Sequence, residues 1–358
     1  MPDLKKQYGS KFAVDAGVFL FSILIAFIVS LAFIAVLGVN PVTAYTAMIR
    51  GTFGRLTGTL EILAKSTSLI IIGLGVSLAA QGGLSNLGGD GQFYIGAIAS
   101  ICVGLYMPSS SPLLVWILAI TAGIVGGGLW GAIAGFLKAY FNTSEVIVTI
   151  MLNYVALYFV SYCVGGPLKA PGGIPQTRAL PRMYHFSKLI QGSRAHWGIV
   201  LGLAAAIILW IVMKKTLLGY RIQTVGASPN AAVYGGINIK FYTVLILFIA
   251  GAFSGLAGMA EVYGSHYRVL EGITTNFGFT ALLIALLAKL NPYAVVFGSL
   301  FISALTVGAN SMQIEMNVPT SIVNVIQSLI IFFFLVTPNI WARITMKRQF
   351  VGIGKEEA

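Results

Sequence analysis

Residues 112–137 read PLLVWILAITAGIVGGGLWGAIAGFL, 26 positions without a charged side chain. A helix needs about 20 consecutive apolar residues to cross the hydrocarbon core of a bilayer. A helix on the surface of a soluble domain has a polar face as well as an apolar one. The stretch therefore predicts a membrane-spanning helix.

The rest of the chain continues this pattern. Of its 358 residues, 57% are hydrophobic and 9% are charged, whereas about 25% are charged in soluble domains. A water-soluble fold is excluded, and we expect an all-α integral membrane protein of about ten transmembrane helices. The predicted spans are 17–39, 66–81, 93–107, 112–137, 146–164, 198–213, 241–263, 279–290, 292–309 and 321–337, in a polytopic membrane domain of residues 17–337 between the tails 1–16 and 338–358.

The charge balance predicts the orientation of these spans. The net charge of +12 would suggest a nucleic-acid partner in a soluble protein, but here it fits the excess of Lys and Arg on the cytoplasmic side. With both tails in the cytoplasm, 13 of the 22 Lys and Arg fall on the inner side. Loop 165–197 is then outside, and loop 214–240 is inside. Cys102 and Cys163 lie in apolar stretches, which excludes a disulfide scaffold.

Two glycine-rich segments interrupt the hydrophobic pattern. Residues 82–92 read GGLSNLGGDGQ, and residues 272–278 read GITTNFG. Unwound backbone is tolerated at membrane depth only where protein or a cavity surrounds it. The two segments are about five spans apart, an odd offset that an inverted repeat of two five-helix halves would produce, with interrupted helices near the solute path. The alternative for 82–92 is an exposed inner loop.

Amide and aromatic side chains in the predicted spans and in the first interruption could line a path for an uncharged polar solute. Hydrogen bonding between helices is an equally good explanation of Asn153 and Asn324. The candidate solute-path residues are Asn86, Asp90, Gln92, Asn153, Tyr154, Asn324 and Gln327.

The inner loop 214–240 contains signals for a short helix. Ser228-Pro229 favours a helix start, and Gly235-Gly236 favours its end. The helix either rests on the membrane surface or docks to a cytoplasmic partner. For the docking case, we expect Ala231, Ala232 and Tyr234 to form the contact face.

No arrangement typical of catalysis or of a metal site is found in the sequence. His185, His196 and His266 lack metal-ligand spacing, so we expect neither an enzyme nor a metalloprotein. An ion-coupled secondary transporter is the rival from another class, because Asp90, Glu145 and Glu261 lie within or at the ends of spans.

Three segments resemble one family of membrane proteins. They are GYRIQTVGASPNAAVYGGINIKFYTVLILFIAGAFSGLAGMAEV at 219–262, GGLSNLGGDGQFYIGAIAS at 82–100 and NTSEVIVTIMLNYVALYFVSYCVGGPLKAPGGIPQT at 142–177. They are similar to the permease subunits of ABC importers for branched-chain amino acids, ribose-type sugars and nucleosides, and most similar to the nucleoside and simple-sugar branch. Asp90 stands where that branch usually has glutamate.

The resemblance implies a transport subunit that imports nucleosides or, alternatively, simple sugars such as ribose or galactose across a bacterial plasma membrane. It implies a second permease subunit, an extracytoplasmic solute-binding protein and a cytoplasmic ATPase that carries ATP and Mg²⁺, with no cofactor in this chain. The sequence agrees, since it lacks a G-x-x-x-x-G-K-[ST] phosphate-binding loop. The residues that the resemblance assigns to coupling with the ATPase are Gly226, Ala227, Ser228, Pro229, Asn230, Ala231, Ala232, Tyr234, Gly235 and Ile237.

Overall fold

The computed structural model describes residues 38–317 except 108 and 275, together with parts of 21–36 and 319–336. These residues are mainly helical, and no strand occurs among them. The helices are α1 (Pro41–Phe53), α2 (Leu56–Gln81), α3 (Gly89–Tyr106), α4 (Pro112–Phe141), α5 (Glu145–Gly165), α6 (Gly198–Lys215), α7 (Leu217–Ala227), α8 (Pro229–Tyr234), α9 (Ile239–Glu261), α10 (Phe277–Leu287) and α11 (Pro292–Met316). A π-helical turn, Val262–His266, extends α9.

Six helices of the described part are long and apolar enough to cross a membrane, or seven if Phe27–Val36 and α1 form one bent span. This confirms an all-helical protein with several membrane spans, but the predicted count of ten is not reached. Most of the predicted spans 17–39 and 321–337 lie outside the described residues. Helix α10 has 11 residues, too few to cross a bilayer alone.

The prediction that 66–81 is a short span was wrong. Helix α2 begins at Leu56 and has 26 residues. The hydropathy pattern stops early because Glu61 and Lys65 are charged, yet a Glu four residues before a Lys favours a helix. Glu61 also pairs with Arg194 at 3.5 Å, so the charged turn of α2 has a partner in loop 165–197.

The larger of two compact units, Thr59–Ser303, is built on close contacts of α3, α4 and α9. A methyl group at Gly127 of α4 would lie 2.4 Å from the Gly251 carbonyl oxygen of α9, and one at Gly96 of α3 would lie 2.3 Å from the Gly255 Cα. Small residues let helix backbones approach this closely in a membrane protein. The glycines on the facing sides of α3, α4 and α9 thus form the packing surface between these helices.

Loop 166–197 is folded onto the ends of the helices. Tyr184 is buried, and its hydroxyl donates to the Ser109 carbonyl oxygen at 2.8 Å. The Leu180 N–H donates to the Tyr267 carbonyl oxygen at 2.8 Å, and the Phe186 N–H donates to that of Tyr263 at 2.9 Å. Backbone and side-chain hydrogen bonds therefore hold the loop in one conformation.

In the smaller unit, Met1–Gly58 with Ala304–Ala358, glycines bring α1 against the end of α11. A methyl group at Gly308 would lie 2.5 Å from Met48 Cγ, and one at Gly51 would lie 1.9 Å from Ser311 Oγ.

Candidate solute path and coupling site

The predicted interruption after α2 is present at Gly82–Gly88. Gly83 has a φ of +74°, a left-handed conformation that glycine adopts without strain. Helix α2 ends at Gln81 and α3 begins at Gly89, so the backbone amides of this segment, the first break, need partners other than helical carbonyls.

Two amide side chains, one in the first break and one in the first turn of α3, bind each other. The Asn86 Nδ2 donates to Gln92 Oε1 at 2.9 Å, and the Gln92 Nε2 donates back to Asn86 Oδ1 at 3.1 Å. Asn86 Oδ1 also accepts from the Gly88 N–H at 3.0 Å. Both side chains are only 1% exposed, so in this conformation they satisfy one another and cap the start of α3.

Helix α5 holds the other side of the first break. Asn153 Oδ1 accepts from the Gly91 N–H at 2.8 Å, and Asn153 Nδ2 donates to the Leu87 carbonyl oxygen at 2.8 Å. The Thr149 hydroxyl oxygen accepts from the Leu87 N–H at 3.3 Å. The predicted residues Asn86, Gln92 and Asn153 are therefore brought together by the structure.

Asp90, in the first turn of α3, links the first break to the other predicted interruption, residues 272–278, which we call the second break. Helix α10 begins at the end of that segment. The Asp90 Oδ1 accepts from the Gly278 N–H at 3.0 Å. A carboxylate is stabilised at a helix N-terminus by the free N–H groups and the helix dipole. Asp90 thus caps the first turn of α10.

Of the other predicted path residues, Tyr154 follows Asn153 on α5, and its side chain is exposed. Asn324 is exposed and belongs to the smaller unit. Gln327 lies outside the described residues. A role of the seven residues in solute passage stays a prediction.

The predicted short helix in loop 214–240 is confirmed as α8. The Ser228 hydroxyl oxygen accepts from the Ala231 N–H at 3.3 Å, Pro229 occupies the first turn, and Gly236 at φ +72° follows the helix end. Tyr234 is 93% exposed, and Ala231 is exposed as well. Ala232 is fully buried, so its predicted place on an exposed contact face was wrong; it anchors α8 to the protein instead.

The C-terminal end of helix α7, which the sequence pattern did not predict, packs against the first break. A methyl group at Gly226 would lie 2.2 Å from the Gln81 carbonyl oxygen, so the two backbones are in direct contact. Gln223 Nε2 donates to Gln81 Oε1 at 3.4 Å, and Gln81 Nε2 donates to the Leu290 carbonyl oxygen at 2.9 Å. A continuous set of contacts therefore links loop 214–240 to the end of α2 and to Leu290, which follows α10.

A polar cluster that the sequence did not predict surrounds Glu261 at the end of α9. Its Oε2 accepts from the Ser68 hydroxyl at 2.6 Å, and its Oε1 lies 3.4 Å from His266 Nε2. Glu261 is buried, so the expectation of a solvated helix end is not met. His196, whose pKa is lowered by burial and raised in part by Glu261, accepts from the Gly198 N–H at 3.0 Å. The only signal for this cluster in the sequence was the short spacing between Glu261 and His266 at the end of a predicted span.

The fold and these sites define a class of membrane permease. The chain belongs to the family described as the permease component of branched-chain amino acid transport systems, whose pattern matches residues 58–335.

Three relatives of known assignment are similar over most of the chain. The guanosine ABC transporter permease protein NupP of Bacillus subtilis is 34% identical, covering 87% of this chain and 91% of that protein. The nucleoside ABC transporter permease protein NupB of Lactococcus lactis is 33% identical, covering 88% of each. The glucose ABC transporter permease protein of Haloferax volcanii is 32% identical, covering 88% of this chain and 84% of that protein.

Proposed function

We propose that the protein is the permease subunit of an ATP-driven importer for nucleosides. The observation that carries this proposal is the joined pair of breaks, at which uncharged amides and backbone groups of α3, α5 and α10 converge. Discontinuous helices with amide side chains suit a neutral solute rich in hydrogen-bonding edges. Two of the similar permeases are named for guanosine or nucleosides, which favours nucleosides over other neutral solutes.

A simple sugar is the second candidate solute. The relative from Haloferax volcanii is named for glucose, and sugar hydroxyls can use the same amides. A nucleoside differs from a simple sugar in carrying a flat aromatic base.

The power for transport comes, in this proposal, from a cytoplasmic ATPase that binds the exposed side of α8. Tyr234 and Val233 project outward there, and the contacts of α7 with Gln81 would transmit a movement of α8 to the first break. An extracytoplasmic binding protein would deliver solute to loop 165–197, and a second permease subunit would complete the transmembrane part.

The arrangement of spans is also part of the proposal. We place both tails in the cytoplasm and ten helices in the bilayer, with the two breaks at equivalent places in two five-helix halves. The direct contact between the breaks, where a methyl group at Gly89 would lie 2.9 Å from the Gly278 Cα, is what a two-fold arrangement around a central path would produce.

Competition for uptake tests the solute class. Bacterial cells that express the complete transporter would take up labelled guanosine in the presence of excess adenosine, ribose, galactose or leucine. We expect adenosine to reduce the uptake of label at least tenfold and the other three to leave it unchanged. Import of labelled ribose or galactose without import of guanosine would contradict the nucleoside assignment and favour the sugar alternative.

A further inference from the structure

One exposed face of α5 carries three tyrosines. Tyr154, Tyr158 and Tyr162 recur every fourth residue and so share one side of the helix. Their side chains are 55%, 70% and 69% exposed. Within the described part of the chain, none of the three hydroxyls has a hydrogen-bond partner. We call these three residues the tyrosine face.

The depth of Tyr154 does not fit an interfacial role. Tyrosines at the ends of membrane helices place their hydroxyls among the lipid headgroups. Tyr154 is nine residues after Glu145 and eleven before Gly165, roughly 14 and 17 Å from the two ends of α5 at about 1.5 Å per residue. Against lipid, its hydroxyl would have no hydrogen-bond partner.

The exposed faces of neighbouring spans are different. On α4 the exposed side chains at mid-helix are Val125, Leu129 and Ile133, and on α6 they include Ile207 and Ile208. These aliphatic surfaces suit lipid. The tyrosine face therefore differs from the lipid-facing surfaces of the same unit.

We propose that the tyrosine face is the wall of the solute path against which the nucleobase stacks. This inference rests on the proposed function and adds the group that distinguishes a nucleoside from a sugar. Aromatic rings stack on any base through its flat face, and the tyrosine hydroxyls can bond to base or ribose edges. The face begins one residue after Asn153, which binds Gly91 and Leu87 beside the first break, so the helix that carries the tyrosines also borders that break.

Leucine substitutions test the role of the rings. Tyr154→Leu and Tyr158→Leu should each lower the maximal rate of nucleoside uptake at least tenfold, while Tyr158→Phe, which keeps the ring, should stay within threefold of wild type. Phe297→Leu is the matched control, because it removes an exposed ring from another helix, α11; its uptake should be unchanged. Normal uptake by both tyrosine-to-leucine variants would overturn the inference and leave the proposed function intact.

Photolabelling tests the contact without relying on uptake. An azido-purine nucleoside, irradiated with the purified complete transporter, should label peptide 145–165, and excess guanosine should prevent it. Label found elsewhere would overturn the inference even if guanosine is imported. Loss of the second permease subunit on purification of the Tyr158→Leu variant would also overturn it, since the face would then be a subunit contact. If wild type imports no nucleoside, the proposed function fails, and the labelled position alone decides the inference.

Discussion

At the residue scale, Asn153 shows how the protein holds unwound backbone inside a membrane. Its amide uses both of its hydrogen-bonding ends, one on the Gly91 N–H and one on the Leu87 carbonyl oxygen. Those two backbone groups lie on either side of the start of α3. One side chain thus replaces helical hydrogen bonds that the glycine-rich segment cannot make.

Replacing Asn153 should weaken the first break. Asn153→Leu keeps the volume but leaves two backbone groups unpaired, at a cost of about 1 kcal/mol for each bond. We expect a lower melting temperature of the detergent-solubilised protein and slower uptake. Met151→Leu, an exposed position on the same helix, is the control. An unchanged melting temperature for Asn153→Leu would mean that the break does not depend on this amide.

His185 makes the stability of loop 166–197 depend on pH. Its ring stacks on Tyr267 at 3.7 Å between centroids and contacts the Leu180 carbonyl oxygen at 3.0 Å. Burial, with Arg182 and Lys188 nearby, lowers the pKa of His185 below its ordinary 6.5, although the bond to Leu180 acts in the opposite direction. The unfolded loop therefore binds the proton more readily, and folding stability should fall as the pH drops below about 6.5.

Hydrogen exchange of residues 176–196 at pH 7.5 and 5.5 measures this effect once each rate is divided by the rate of an unstructured peptide at the same pH. We expect lower protection at pH 5.5 than at pH 7.5 in the wild type and a smaller difference in His185→Phe, which keeps a ring against Tyr267. Equal pH dependence in the two proteins would exclude His185 as the cause.

At the element scale, the contact of α4 with α9 leaves no room for a side chain. Gly127→Ala places a methyl group 2.4 Å from a backbone oxygen, and such overpacking costs about 1–3 kcal/mol. Gly165→Ala, at the end of α5 with open space around it, is the matched control. We expect Gly127→Ala alone to lower the melting temperature; equal behaviour of the two variants would contradict the glycine packing.

Helix α8 should bind the ATPase through its exposed side, where a substitution should not disturb the fold. Ala231→Arg adds bulk and charge on the exposed side of α8, so it should abolish co-purification of the ATPase and leave the melting temperature of the permease unchanged. Gly173→Arg, on loop 165–197 with open space around it, should bind the ATPase normally. Full recovery of the ATPase with Ala231→Arg would refute the docking role.

The elements that the sequence predicts are those with local signals. Ser228, Pro229 and Gly236 determine the bounds of α8 through capping and a left-handed φ, which depend on neighbouring residues only. The first break follows from its glycines in the same way. Helix α2 was cut short because Glu61 and Lys65 looked like a membrane boundary, although Arg194, far away in sequence, pairs with that turn.

The contacts that the sequence could not predict are long-range. Asp90 was predicted near the path, but no feature of the neighbouring sequence indicates that its carboxylate caps α10 at Gly278. The same holds for the bond between Ser68 and Glu261, residues separated by most of the larger unit. Such pairs arise from tertiary packing, and patterns of residue spacing along the chain do not predict them.

At the scale of the whole molecule, contacts between helices connect the proposed ATPase-binding surface of α8 with the proposed solute path. Within the unit Thr59–Ser303, α8 continues from α7, Gly226 of α7 touches Gln81, and Gln81 binds the Leu290 carbonyl oxygen beyond α10. Movement imposed on α8 would therefore reach the first break and the C-terminal end of α10. We propose that ATP hydrolysis on a partner, and not an ion gradient, powers nucleoside entry.

Uptake by proteoliposomes that contain the complete transporter tests this claim most directly. The accumulation of labelled guanosine, delivered with the binding protein, would be measured with ATP and Mg²⁺ at the ATPase side, with a non-hydrolysable ATP analogue, and with an ionophore added. We predict accumulation with ATP, none with the analogue, and no effect of the ionophore. Accumulation that persists without hydrolysable ATP and collapses with the ionophore would contradict the account.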